Sequence, residues 1–149
     1  MKSGYDLIDS PSDLMEDELS EYNANRDFTT LDAWGKSREV KLFFYAEVIP
    51  FLPTEDKFNL GVQLRKASVS VTANIAEGYG RFHYQEGIQF YRIARASLYE
   101  LKDHLTTCSD LSYDTTTCVS KGMELIETAK VKLNGYIKYV QSKKEGIGK

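Results

Sequence analysis

Two cysteines, two histidines, three prolines and a single tryptophan are all that this 149-residue chain holds of those residue types. Each shortage excludes something. Cys108 and Cys118 stand on either side of an expected turn, near enough in principle for a bridge; the plainer reading is reduced thiols packed as small apolar side chains. With only His83 and His104, and no paired Cys or His spacing, no zinc site is expected, nor any other cofactor. The longest apolar run, Leu42 to Leu52, is interrupted by Glu47 and Pro50 and is too short to cross a bilayer. No basic start followed by an apolar block marks a signal peptide, so a cytoplasmic protein without membrane association is expected. Catalytic motifs are missing too. Gly78-Tyr79-Gly80 closes a predicted helix instead of opening one around a phosphate, and Ser70 and Ser97 fall inside helices, away from any strand-to-helix elbow.

What is present is 42% apolar and 28% charged residues, enough for one domain with its own core. The net charge of −3 conceals an asymmetry. Residues 1–33 hold nine acidic residues against Lys2 and Arg26, whereas the remaining 116 hold 17 basic and 13 acidic. Residues 1–30 form an acidic leader without sustained periodicity, read as a flexible tail. Within it Leu7, Ile8, Leu14, Met15 and Leu19 could dock one short helix on a neighbour.

Hydrophobic spacing then predicts four helices over 31–142. The first runs from Trp34 to about Val48, capped by Thr30 or Asp32, with Val40, Phe43, Phe44 and Val48 on its apolar stripe and Pro50 and Pro53 ending it. Thr54, followed by Glu55 and Asp56, suits the start of the second. Its main stretch, Leu60 to Arg81, organises the chain. At about 100° per residue, Leu60, Leu64, Ala67, Val71 and Ile75 share one face, and Val62, Val69, Ala73 and Ala76 fall nearly opposite. Two apolar faces call for two coverings, one by the chain's own bundle and one by another subunit. Gly78 or Gly80 would stop this helix in the left-handed conformation.

The third helix, about Tyr84 to Cys108, places Phe90, Ala94, Ser97, Leu101, Leu105 and Cys108 on its core seam. Arg92, Arg95, Tyr99 and Lys102 line the side turned away. After a polar turn at Asp114 and Thr115 to Thr117, the fourth runs to about Ser142 on Val119, Met123, Ile126, Leu133, Ile137 and Val140, interrupted at Lys130. Residues 143–149 should fray. Short connections predict an all-α, antiparallel up-down-up-down four-helix bundle.

The segments QLRKASVSVTANIAEGYGR and FYRIARASLYEL carry a recognisable pattern. Trp34, Lys36, Pro53, Gln63, Leu64, Arg65, Ala67, Ser70, the run Asn74, Ile75, Ala76, Glu77, Gly78, Gly80 and Arg81, then Phe90, Ala94, Ser97, Leu98, Glu100 and Leu101 match it. In this the chain resembles the four-helix bundle proteins encoded by intervening sequences of 23S rRNA genes. The resemblance implies a left-handed bundle assembled as a homopentameric ring. The chain is also similar to the accessory variability determinant of diversity-generating retroelements, which implies a reverse transcriptase and nucleic acid as possible partners. The acidic leader lies outside the shared pattern.

Among candidate site residues, Asn74, Glu77 and Arg81 read as a structural set, with Glu77 pairing either Arg81 one turn on or a basic residue of a neighbouring chain, and Asn74 satisfying backbone groups. Glu100 reads as a pairing partner, and His83 has no evident carboxylate. No catalytic residue is assigned, and no enzyme activity is expected. Arg65, Lys66, Arg81, Arg92, Arg95 and Lys102, interspersed with Tyr79, Phe82, Tyr84 and Tyr99, form the candidate nucleic-acid surface. Cations neutralise phosphates there and rings accept bases. The leading function is a non-enzymatic homo-oligomeric scaffold that binds RNA or DNA as an accessory protein. The alternative is a protein-interaction hub whose acidic tail regulates access.

Overall fold

The computed structural model describes residues 27–81, 83–113 and 116–147, with the backbone alone for 116–118 and 147. The acidic leader therefore lies, up to residue 26, outside the described residues, as do Phe82, Asp114 and Thr115. Among the described residues the fold is all-helical, a bundle of four long helices: α1 (Asp32–Phe43), α2 (Leu60–Tyr79), α3 (Tyr84–Asp110) and α4 (Thr116–Ile147). Each packs on two neighbours, α2 on α3, α3 on α4, α4 on α1 and α1 on α2.

The first helix starts earlier and ends less simply than its pattern suggests. Asp27 accepts the Thr29 amide at 2.9 Å and caps a short turn, Phe28–Thr30, whose Phe28 ring lies edge-on to Trp34 at 5.4 Å. Neither Thr30 nor Asp32 caps α1, whose N-cap is Leu31 with no side-chain hydrogen bond. At its other end α1 widens into a π-turn, Phe44–Val48, before Pro50 enters a 3-10 turn at Ile49–Phe51. The wider turn shifts the register, so Val40, Phe43, Phe44, Val48 and Ile49 are all buried.

Thr54 does not begin a continuous second helix. Thr54–Lys57 is one turn capped from Pro53, and the chain breaks at Phe58 and Asn59 before α2 begins. Tyr113 donates its hydroxyl to Asp56 and so ties this turn to the end of α3, a bond that pushes the phenol up to about 12.

On α2 the predicted inner face is correct, with Leu60, Leu64, Ala67, Val71 and Ile75 all buried. Two buried serines satisfy themselves within their helices. Ser37 Oγ donates to the Ala33 carbonyl at 2.7 Å, and Ser68 Oγ to that of Leu64 at 2.6 Å, which lets small polar residues sit in the core without a desolvation penalty.

The glycine stop needs correcting. No described glycine has a positive φ, and Gly80 sits at φ −75°, in right-handed helical space. Gly78 is required for room instead. A Cβ there would stand 2.6 Å from Tyr91 Cε1, 2.9 Å from Phe90 Cβ and 3.0 Å from the Gly87 carbonyl oxygen. Gly122 does the same for α4, where a Cβ would come within 2.6 Å of both Leu105 and Phe43.

The seam of α3 is rotated from the predicted one. Ile88, Tyr91, Ala94, Leu98, Leu101, Leu105 and Cys108 are buried, while Phe90 and Ser97 are only half-buried, facing α2. The helix ends at Asp110, two residues beyond Cys108, and closes as a Schellman motif. The Tyr113 amide donates to the Cys108 carbonyl at 3.0 Å and that of Ser112 to Ser109 at 3.1 Å, with Ser112 left-handed at φ 56°. On α4, Ala129 fills the core position beside the predicted break at Lys130, and the helix continues to Ile147, past the stop expected at Ser142.

Each fully buried Leu or Ile of this core is worth about 1.5–3 kcal/mol, whereas exposed pairs such as Lys36–Glu39 at 3.2 Å are worth about 0–1 kcal/mol. Packing, not surface charge, holds the bundle.

Candidate nucleic-acid interface

Arg92, Arg95, Tyr99 and Lys102 recur on α3 at helical spacing, and the structure places them along its border with α4, not directly opposite the core. Arg95 is half-buried there and donates Nη1 to Asn134 Oδ1 at 3.0 Å. Arg92 and Lys102 are exposed on either side of it. Tyr99 between them is 52% exposed, and Lys130 of α4 lies 4.7 Å above its ring. Lys130 also pairs with Glu127 at 3.0 Å, and that hydrogen bond, with a second that the ammonium donates to the Tyr99 oxygen, pushes it above the usual lysine range. The flank thus combines four cations with one presented ring, and Lys130 and Asn134 complete it from another helix. Their sequence signal was only the gap in the α4 stripe. Among the described residues no carboxylate pairs with Arg92, Arg95 or Lys102.

The other predicted cations lie elsewhere. Arg81, at the α2–α3 turn, is engaged by Glu77 at 3.3 Å and Glu86 at 3.9 Å, and its guanidinium lies 4.7 Å over the Phe90 ring. Arg65 and Lys66 are exposed on the outer side of α2, flanking its second apolar face. On that face Val69 is 46% exposed and Ala73 is exposed, while Val62 and Ala76 are half-buried. Ile93, at 48%, and Ala96 add exposed apolar surface on α3.

The Asn74 to Arg81 run works inside the protomer. Asn74 Nδ2 donates to the Ser70 carbonyl at 2.8 Å and to Ser70 Oγ at 2.9 Å, and Ser97 Oγ donates to Ser70 Oγ at 2.8 Å. This polar cluster joins α2 to α3 beside the Gly78 contact. Neighbouring it, Tyr91 packs edge-on to Tyr136 at 5.1 Å, and burial pushes both phenols up.

Of the other candidate groups, Glu100 is occupied, Cys108 is buried, and His83 is exposed at the α2–α3 turn. Glu100 pairs with His104 Nε2 at 3.3 Å, a partner the sequence reading missed one turn away. Cys108 is buried, and burial, reinforced by the nearby Asp56 charge, pushes its thiol up to about 11. The side chain of Cys118 lies outside the described residues, so neither the reading of two reduced thiols nor a bridge to Cys108 is decided there. No cluster of three or more His, Cys, Asp or Glu suited to a metal occurs among the described residues, and none of their helices is long and apolar enough to cross a membrane.

No curated protein matches the chain. The 23S rRNA-intervening sequence protein family matches residues 29–135, which spans all of α1 to α3 and most of α4. With more than half its length so matched, and the Asn74 to Arg81 run joining α2 to α3 as described, the chain belongs to the 23S rRNA-intervening sequence protein family.

Proposed function

We propose that this protein is a non-enzymatic, cytoplasmic, homo-oligomeric helical bundle that binds RNA or DNA as an accessory scaffold. The observation that carries the reading is the α3–α4 flank, where Arg92, Arg95, Lys102 and Lys130 surround the exposed ring of Tyr99. Cations that neutralise phosphate, set around a ring on which a base stacks, suit single-stranded or looped nucleic acid.

An antiparallel up-down-up-down course is supported by residue pairs that run in opposite order along neighbouring helices. Ser70 meets Ser97 while Gly78 meets Phe90, and Asn134 meets Arg95 while Lys144 meets Gln85. The uncovered α2 face, Val62, Val69, Ala73 and Ala76, supports assembly, and the family resemblance supports five subunits. A ring repeats the cationic flank in every subunit and adds weak contacts into one avid surface.

A titration of RNA and DNA oligomers across a salt series tests this. Affinity is expected to fall steeply with salt, and Arg92→Ala to reduce the log–log slope by about 0.7 for a single strand. Absence of binding even at low salt would overturn the reading in favour of a protein-interaction hub. The exposed Phe51 and Phe58, at 62% and 87%, are the observation on that side.

A further inference from the structure

We propose that the acidic leader, residues 1–26, docks on the cationic flank of α3 and α4 and competes there with nucleic acid; the competition rests on the reading of that flank given above. The leader carries Asp6, Asp9, Asp13, Glu16, Asp17, Glu18 and Glu21 against Lys2 and Arg26. Five of these carboxylates fall between Asp13 and Glu21, interleaved with Leu14, Met15 and Leu19. The flank is its complement, since Arg92 and Lys102 are exposed, unpaired by any described carboxylate, and stand either side of the half-exposed Tyr99.

Dimensions agree with the match. Arg92 and Lys102 are about 15 Å apart along α3, and a nine-residue stretch spans up to about 30 Å when extended, so the dense part of the leader covers both. Reach is not limiting either. A 26-residue chain extends to about 85–90 Å, well beyond the roughly 48 Å length of α4, the longest helix. The flank of its own subunit or of a neighbour is therefore accessible.

The other cations of the candidate surface make poorer targets. Arg81 already has Glu77 and Glu86, and Arg65 and Lys66 are only two charges, set beside an apolar face assigned to assembly. Tethering strengthens the contact, because a covalently attached segment acts at an effective concentration on the order of millimolar. A weak ionic contact thus suffices to exclude a ligand that binds through the same side chains.

The test uses the full chain in two independent arms. In the first, carbodiimide coupling without nucleic acid joins leader carboxylates to neighbouring amines, and mass spectrometry maps the links. A link to Lys102 is expected, suppressed by high salt and lost in Lys102→Glu, whereas Lys130 is already held by Glu127 at 3.0 Å. Links spread evenly over the surface lysines, or concentrated at Lys66, would overturn the docking.

In the second arm, a fluorescent oligouridylate is titrated at low salt into the parent and into a variant carrying Asp13→Asn, Glu16→Gln, Asp17→Asn, Glu18→Gln and Glu21→Gln. Affinity is expected to rise about tenfold or more in that variant, and the gain to disappear when Arg92→Ala and Lys102→Ala are added. Equal affinities with and without the leader charges would overturn the competition. If neither form binds while the links to Lys102 are found, the docking stands and the nucleic-acid reading fails.

Discussion

Gly78 and Gly80 lie two residues apart in one motif, yet the structure asks different things of them. At Gly78 an added methyl would meet the Tyr91 ring, the Phe90 Cβ and the Gly87 carbonyl, two of which are anchored by backbone. Gly78→Ala should therefore force α2 and α3 apart and destabilise by about 1–3 kcal/mol. At Gly80 the nearest contacts are 3.5 Å and 3.7 Å, and the backbone is right-handed. Gly80→Ala is expected to be neutral or to stabilise by up to about 1 kcal/mol, by restricting the unfolded chain; urea midpoints of the two variants decide the matter. Alkaline pH probes a second residue. An unfolded Cys108 thiol ionises near 9, whereas the folded one holds its proton to about 11. Between those values the unfolded state binds fewer protons, so stability falls as pH rises. Tyr91 and Tyr136, both held above the usual phenol range, act in the same direction at higher pH. Urea midpoints at increasing pH should fall from about pH 9 upward, and Cys108→Ala should flatten the first part of that fall.

The α3–α4 pair shows how two arginines of one stripe differ once a neighbouring helix is present. Arg95 reaches across to Asn134, so Arg95→Ala should cost about 1 kcal/mol of stability as well as a phosphate contact. Arg92→Ala, at an exposed position, should stay within about 0.5 kcal/mol; chemical denaturation separates the two. The spacing of the stripe was legible from one helix alone, and so was the inner face of α2, because a 3.6-residue repeat of Leu, Val and Ile reports burial directly. What the repeat did not report was which neighbour each helix leans on. The repeat puts Phe90 and Ser97 on the seam, yet they turn toward α2, while Leu98 and Tyr91 take the buried positions. The same limit hid Lys130 and Asn134, whose role comes from α3 across the interface. Element ends depart from the sequence pattern where backbone geometry substitutes for a recognised residue type: Ser112 closes α3 in the position glycine usually takes, and Gly80 closes α2 without left-handed backbone.

At the scale of the whole molecule the uncovered surface is the outer face of α2, and its size bears on what covers it. From Val62 to Ala76 the stripe is about 21 Å long and, at helix width, about 10 Å across, far short of the roughly 800 Å² per subunit that a stable interface buries. Assembly through α2 must therefore recruit the adjoining Ile93 and Ala96 of α3. Symmetry adds a further demand. A face that pairs with itself stops at two copies, whereas a closed ring of five needs two different faces on every subunit. The candidate for the second is the outer stripe of α4, where Val131 and Tyr139 are 59% and 54% exposed and Gly135 lies between them. On the proposed ring, Val69→Glu and Val131→Glu should each yield single chains in sedimentation velocity while keeping full helical circular dichroism, because neither side chain belongs to the core. Mixed in equal amounts, the two variants retain one intact pair of complementary faces and should sediment as a dimer. Dissociation by Val69→Glu with no effect of Val131→Glu would mean that α2 pairs with itself and that the assembly ends at two.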